Sequence, residues 1–133
     1  MIRQRLLLCA EGVVLDHLTN NLSIFNILEQ FNFQTLPVAF PKMVIISVVD
    51  RDKDDPDKWE ARLKIDLAGS IIMDMPVEYN FRGLLRTRNL VTLGGLPITR
   101  PGIMEIYLVK DDMKLAPYTI DIPVPLAPTV EKS

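Results

Sequence analysis

The chain has 133 residues, 48% of them hydrophobic and 24% charged, with a formal net charge of −2. That length suits one domain with a core of its own, and the apolar content excludes a disordered chain, which buries too little to offset its conformational entropy. The slightly acidic balance argues against nucleic acid, whose binders draw affinity from a basic surplus, and no Lys/Arg block suits an anionic membrane surface.

In chain order, Leu6 to Ala10 is the first expected strand. Met1 to Ala10 has the outline of a lipoprotein signal, with basic residues, leucines and then Cys9. The apolar run ahead of Cys9 is only three residues, whereas a signal carries about 7–15. No stretch approaches the roughly 18–20 apolar residues of a membrane span. Asn20-Asn21 suits a turn. Leu22 to Phe33 is expected to be a strand followed by an aromatic-rich loop, although Ile24, Ile27, Leu28 and Phe31 also fit a helical stripe.

Met43 to Val49 is a continuous apolar, largely β-branched run, expected to be covered on both faces and bounded by Pro41 and the charged loop Asp50 to Lys58. The firmest pattern follows. Trp59, Ala61, Leu63, Ile65 and Leu67 alternate with Glu60, Arg62, Lys64 and Asp66, the period of two of a half-buried strand. Ile71, Met73, Met75, Val77, Tyr79 and Phe81 continue the logic after a hairpin turn at Gly69-Ser70. Pro76 has no N–H and predicts an edge position, a bulge or a break. Further strands are expected within Arg86 to Leu93, ending at Gly94-Gly95, around Met104, Ile106 and Leu108, and within Leu115 to Val124 after the Asp111-Asp112 turn.

The sum is about eight strands with short turns and no internal repeat, the spacing of a sandwich or barrel. The expected fold is therefore all-β, a single-domain antiparallel β-sandwich over residues 1–125, jelly-roll or immunoglobulin-like. A flexible proline-containing tail is expected over 126–133.

Several stretches resemble a small family of bacterial β-sandwich proteins of unknown function. They are Cys9-Ala10-Glu11 leading to Asp16, Asn21 to Leu28, Phe40-Pro41, Gly102 to Ile106, and Leu115 to Ile120. The resemblance implies the fold and a bacterial-type cytoplasmic setting; it carries no catalytic or ligand residue.

Chemistry-bearing residues are few. His17 is the only histidine, and no serine stands in a nucleophile-elbow pattern around which a triad is built. One His and one Cys are too few for a zinc site, so His17 is expected in a solvated turn. Cys9 is the only cysteine, which fits a reducing cytoplasm, and it is expected to be buried and inert. Asp50, Asp52 and Asp54 have the spacing that opens an EF-hand loop, and Asp57 adds a fourth carboxylate. However, the sixth loop position is Asp55 where glycine is needed, the twelfth is Ala61 where glutamate is needed, and Arg51, Lys53 and Lys58 offset the charge. Arg82, Arg86 and Arg88 share one phase. They are suited to a carboxylate or phosphate, or, the favoured expectation, to cross-strand pairing with Asp74, Glu78 or Glu60. Aromatic residues make up only 7%, and Tyr107 alone is expected to face outward, a poor basis for sugar stacking.

The leading expectation is a non-catalytic interaction or assembly module that self-associates into a homo-oligomer, with no cofactor and no nucleic-acid or membrane partner. Its basis is a surplus of apolar faces, since Leu22 to Leu28 and Met43 to Val49 are apolar on both sides; the second run makes Met43, Val44, Ile45 and Ile46 the interface candidates. The alternative is a β-sandwich binding a small ligand or calcium at the loop 50–58, through Asp50, Asp52, Asp54 and Asp57.

Overall fold

The chain is all-β in the computed structural model, which describes residues 1–125. Its strands are β1 (Arg3–Leu15), β2 (Leu22–Ile27), β3 (Val38–Phe40), β4 (Met43–Asp50), β5 (Lys58–Leu67) and β6 (Ser70–Asn80). They continue with β7 (Arg86–Leu93), β8 (Leu96–Ile98), β9 (Gly102–Lys110), β10 (Met113–Lys114) and β11 (Tyr118–Ile122). Eleven strands replace the expected eight because three short ones, β3, β8 and β10, carry no periodic signal. No helix occurs among the described residues, so none is long and apolar enough to cross a membrane. The tail expected over 126–133 lies outside the described residues.

All pairing within the three sheets is antiparallel. The first sheet has the order β2-β1-β4-β7, and the third pairs β3 with β8. In the second, β9 pairs β5 on one edge and β10 and β11 on the other, while β6 flanks β5. The expected hairpin is present, with Trp59 opposite Tyr79. Its turn lies one residue earlier than expected, because Leu67 pairs with Ser70 and leaves Ala68-Gly69 as the loop. Both loop residues have positive φ, 49° and 91°, the conformation that matches the strands' twist. Pro76 occupies the edge strand β6 opposite Arg62, where a missing N–H costs no ladder bond. Ile71 departs from its expected buried phase: the register shifts between Ile65 and Asp66, and Ile71 is left exposed while Ile72 packs on the core.

One buried cluster takes side chains from both larger sheets: Cys9, Met43 and Ile45 from the first, Leu63, Ile65, Ile106 and Ile120 from the second. Each fully buried Ile or Leu contributes roughly 1.5–3 kcal/mol relative to exposure. Ser47 is the one buried polar residue among those described, and its Oγ lies 2.6 Å from the Tyr79 hydroxyl across the core. Burial pushes the Tyr79 phenol up to about 12, the bond with Ser47 partly opposing it.

The opposite face of β4 has a cover of its own. Residues 3–10 of β1 pair β4, whereas residues 10–15 pair β2. Beyond Ala10 the β1–β2 hairpin doubles back over the outer face of the sheet. Val13, Leu22 and Ile24 pack on Ala10, Val44 and Ile46. At the hairpin tip, the Asn20 carbonyl and Oδ1 each accept a 3.0 Å bond from Arg88 Nη2 on β7, with β4 between. Gly12 sits under the Phe25 ring, and a Cβ there would collide with it.

Candidate functional site

The hairpin decides the fate of the expected interface. Met43, Val44, Ile45 and Ile46 are at most 2% exposed in the single chain, so none of them presents a surface to a partner. The pattern that called for a cover on both faces is satisfied internally, by the second sheet on one side and the hairpin on the other.

The expected calcium loop is likewise occupied with other work. Asp50 takes a bidentate pair from Arg86, Nε–Oδ1 2.6 Å and Nη2–Oδ2 3.1 Å. Asp52 accepts a bond from Arg3 at 3.1 Å, and Asp57 Oδ1 accepts the Gly83 N–H at 2.7 Å. No group of three or more acidic, His or Cys side chains able to hold a metal occurs among the described residues. Asp50, Asp52, Asp54 and Asp57 are therefore not assembled into one site: Arg86 of β7 holds Asp50, Arg3 of β1 holds Asp52, and the Gly83 N–H holds Asp57.

Cys9 is fully buried, and desolvation pushes its thiol up to about 12, so little thiolate exists at neutral pH. His17 lies in the exposed hairpin tip, while Ser47 is tied to Tyr79 in the core; the two are not brought together. Tyr107, expected to face outward, is 8% exposed, with the Lys114 ammonium 4.4 Å from its ring centre.

The arginines are brought together, though not with the partners expected of them. Asp74 pairs Arg62 at 2.7 Å, and Arg82, Arg86 and Arg88 bond none of Asp74, Glu78 or Glu60. Instead Arg82, Arg86 and Arg88, joined by Arg5, line a groove of about 790 Å³. Leu6, Val48 and Leu84 supply apolar lining and Asn20 a wall. Arg5 Nη1 stands 3.8 Å from Asp50 Oδ2, sharing that carboxylate with Arg86. The Arg86 hydrogen bond holds the Asp50 carboxyl below its usual range, and the same bond raises Arg86.

Local structure fixes one wall. Arg82 has φ 52° in the turn from β6 to β7, and its N–H is accepted by Asn80 Oδ1 at 3.0 Å. Arg51, nearly buried, donates to the Leu84 carbonyl at 2.7 Å and the Asp55 carbonyl at 2.9 Å, and lies against the Phe81 ring. The charged loop and the 81–85 turn thus brace each other.

Residues 5–123 match a family described as "Family of unknown function (DUF6941)". The chain belongs to this family. No curated protein matches it. The stretch shared with DUF6941 contains all four groove arginines and the mutually paired part of β1 and β2, from Ala10 to Ile27.

Sequence reasoning missed Arg5, Asn20 and Arg51. Arg5 and Asn20 reach the groove through the β1–β4 pairing and the folded-back hairpin, neither of which leaves a local signal. Arg51 was legible only as a charge in an acidic loop; its role follows from the Leu84 carbonyl, 33 residues away.

Proposed function

We propose that this chain is a non-catalytic interaction module, a single β-sandwich domain, that self-associates through the β1–β2 hairpin. The observation that carries the reading is the outer edge of β2, which among the described residues pairs β1 alone. From Asn20 to Leu28 the segment has no charged residue, and Phe25 and Ile27 are 47% and 50% exposed. Natural edge strands are blunted by Lys, Pro or inward charge to prevent pairing with other chains. This one lacks those devices. A two-fold axis through β2 pairs the edge with itself in antiparallel fashion, and with no charge on the strand no like charges meet. Asn26, at φ 54°, interrupts the extended run and confines regular pairing to Leu22–Phe25.

The sandwich reading is supported by the cluster that both larger sheets share. The non-catalytic reading is supported by the burial of Cys9 and of the Ser47 hydroxyl away from His17. A cytoplasmic setting belongs to the same proposal, supported by a free buried thiol.

Sedimentation and light scattering across the micromolar range test it. The wild type is expected to reach the dimer mass and Ser23→Lys, on the exposed face of β2, to remain monomeric with its fold intact. A wild type that stays monomeric throughout, or a Ser23→Lys chain that still dimerises, overturns the proposal.

A further inference from the structure

We propose that the arginine groove binds an amphipathic organic oxyanion, a carboxylate or phosphate monoester carried on an apolar chain. The inference does not rest on self-association. Its first ground is charge. Four guanidinium groups line the groove against one lining carboxylate, Glu78, and Asp50 beside them. The surplus of positive charge stands out in a chain whose formal net charge is −2. It is also local and small, unlike the long basic track that holds a nucleic acid.

The second ground is spare donors. An arginine offers five N–H donors in a planar fork. Arg86 commits its fork to Asp50. Arg88 uses Nη2 on Asn20 and keeps Nε and Nη1. Arg82 makes no salt bridge among the described residues, and Arg5 has only the 3.8 Å approach to Asp50. Arg5, Arg82 and Arg88 therefore retain donors able to engage an oxyanion in forked geometry.

The third ground is preorganisation. The turn bearing Arg82 is held before any ligand arrives: Asp57 accepts the Gly83 N–H at 2.7 Å, the Phe81 carbonyl accepts the Leu84 N–H at 2.9 Å, and Arg51 donates to the Leu84 carbonyl. A fixed wall spares a ligand the ordering cost of a mobile loop. The fourth ground is the apolar lining. Leu6 and Leu84 are 39% and 65% exposed, and Val48 is half-buried beside them. Arginines alone would suit a free inorganic anion; arginines over leucines suit an anion with an apolar body. The volume of about 790 Å³ falls within the range of small-molecule sites.

The test uses the full chain and four probes followed by calorimetry: octyl phosphate, octanoate, inorganic phosphate and uncharged octanol. Octyl phosphate or octanoate is expected to saturate a single site, more tightly than inorganic phosphate, with octanol not binding. The tighter of the first two identifies the headgroup as phosphate or carboxylate. Arg82→Gln, at an exposed position, is expected to weaken binding roughly 10- to 100-fold, the worth of one charge-assisted hydrogen bond. Arg62→Gln, which removes the pair with Asp74 outside the groove, should leave affinity unchanged. The proposal fails if neither amphiphile saturates, if octanol binds as well as they do, or if Arg82→Gln matches the wild type. Circular dichroism of each variant establishes that the fold is intact, and the Ser23→Lys monomer, tested with the same probes, separates the groove from the β2 edge.

Discussion

The two faces of β4 are almost equally hidden and very differently held. Ile45 on the inner face is 1% exposed and Ile46 on the outer face 0%. Ile45 belongs to the cluster built by two sheets. Ile46 shares its fully buried cluster only with Ala10 and Val44, beneath a two-stranded ribbon. An isolated two-stranded hairpin is marginal in water, and the polar tie from tip to sheet is the single Arg88–Asn20 contact among the described hydrogen bonds of residues 16–21. Exposure therefore states where a side chain sits and not how much must open to uncover it. The hairpin is expected to open locally, below the cost of global unfolding.

Core truncation tests this contrast most strongly. Ile65→Ala, in the inner cluster, should cost about 2–5 kcal/mol in chemical denaturation. Ile46→Ala should fall at or below the low end, about 2 kcal/mol, because the ribbon can settle into the gap. Equal losses would erase the distinction. Next come the inner face's polar neighbours. Tyr79→Phe leaves the Ser47 hydroxyl without its partner, and Cys9→Ser buries a new hydroxyl; each should cost about 1–3 kcal/mol. The native Cys9 thiol should resist alkylation at neutral pH, and rapid labelling would show that its cover opens too.

A smaller effect reads the outer face directly. Arg88→Gln should speed hydrogen exchange of amides 13–24 while leaving β5 and β9 protected; parallel acceleration of all three would mean the ribbon does not open alone. The smallest effect lies where β4 ends. The Arg86 bond holds the folded Asp50 carboxyl below its ordinary value, so the unfolded chain takes up that proton first. The stabilisation is complete above the unfolded pKa of about 3.9 and is lost as pH falls through the lower folded value. Asp50→Asn should flatten this part of the acid limb in stability measured against pH, and an unchanged slope would show that the pair contributes nothing.

Much of the fold is legible wherever one face meets the core and the other meets water. The alternation of Trp59–Leu67 located β5, and the next run located β6 with Pro76 at an edge. Leu22–Ile27 is a strand despite its helical stripe, because its apolar residues are divided between the covered and exposed faces of a ribbon. What escaped was everything that depends on register between distant segments. The run 43–49 announced two covered faces but not the identity of the second cover. Arg86 and Arg88 were placed in a common phase, yet their partners, Asp50 and Asn20, come from the β4–β7 register and the returning hairpin. A charge pattern along one strand cannot name a partner on another.

The order of strands has a kinetic consequence. Only a few ladders, β5–β6 among them, join consecutive strands through a tight turn; β1 must find β4, β4 must find β7, and β5 must find β9. Each such meeting closes a long loop before its contacts repay the lost chain entropy. Refolding should therefore run in the milliseconds-to-seconds range of non-local β proteins, with the β5–β6 hairpin, closed by the two residues Ala68-Gly69, as the earliest structured part. The single tryptophan, Trp59, stands opposite Tyr79 in that hairpin and against Lys110 of β9, so its fluorescence responds to the formation of this ladder and to the arrival of β9 beside it.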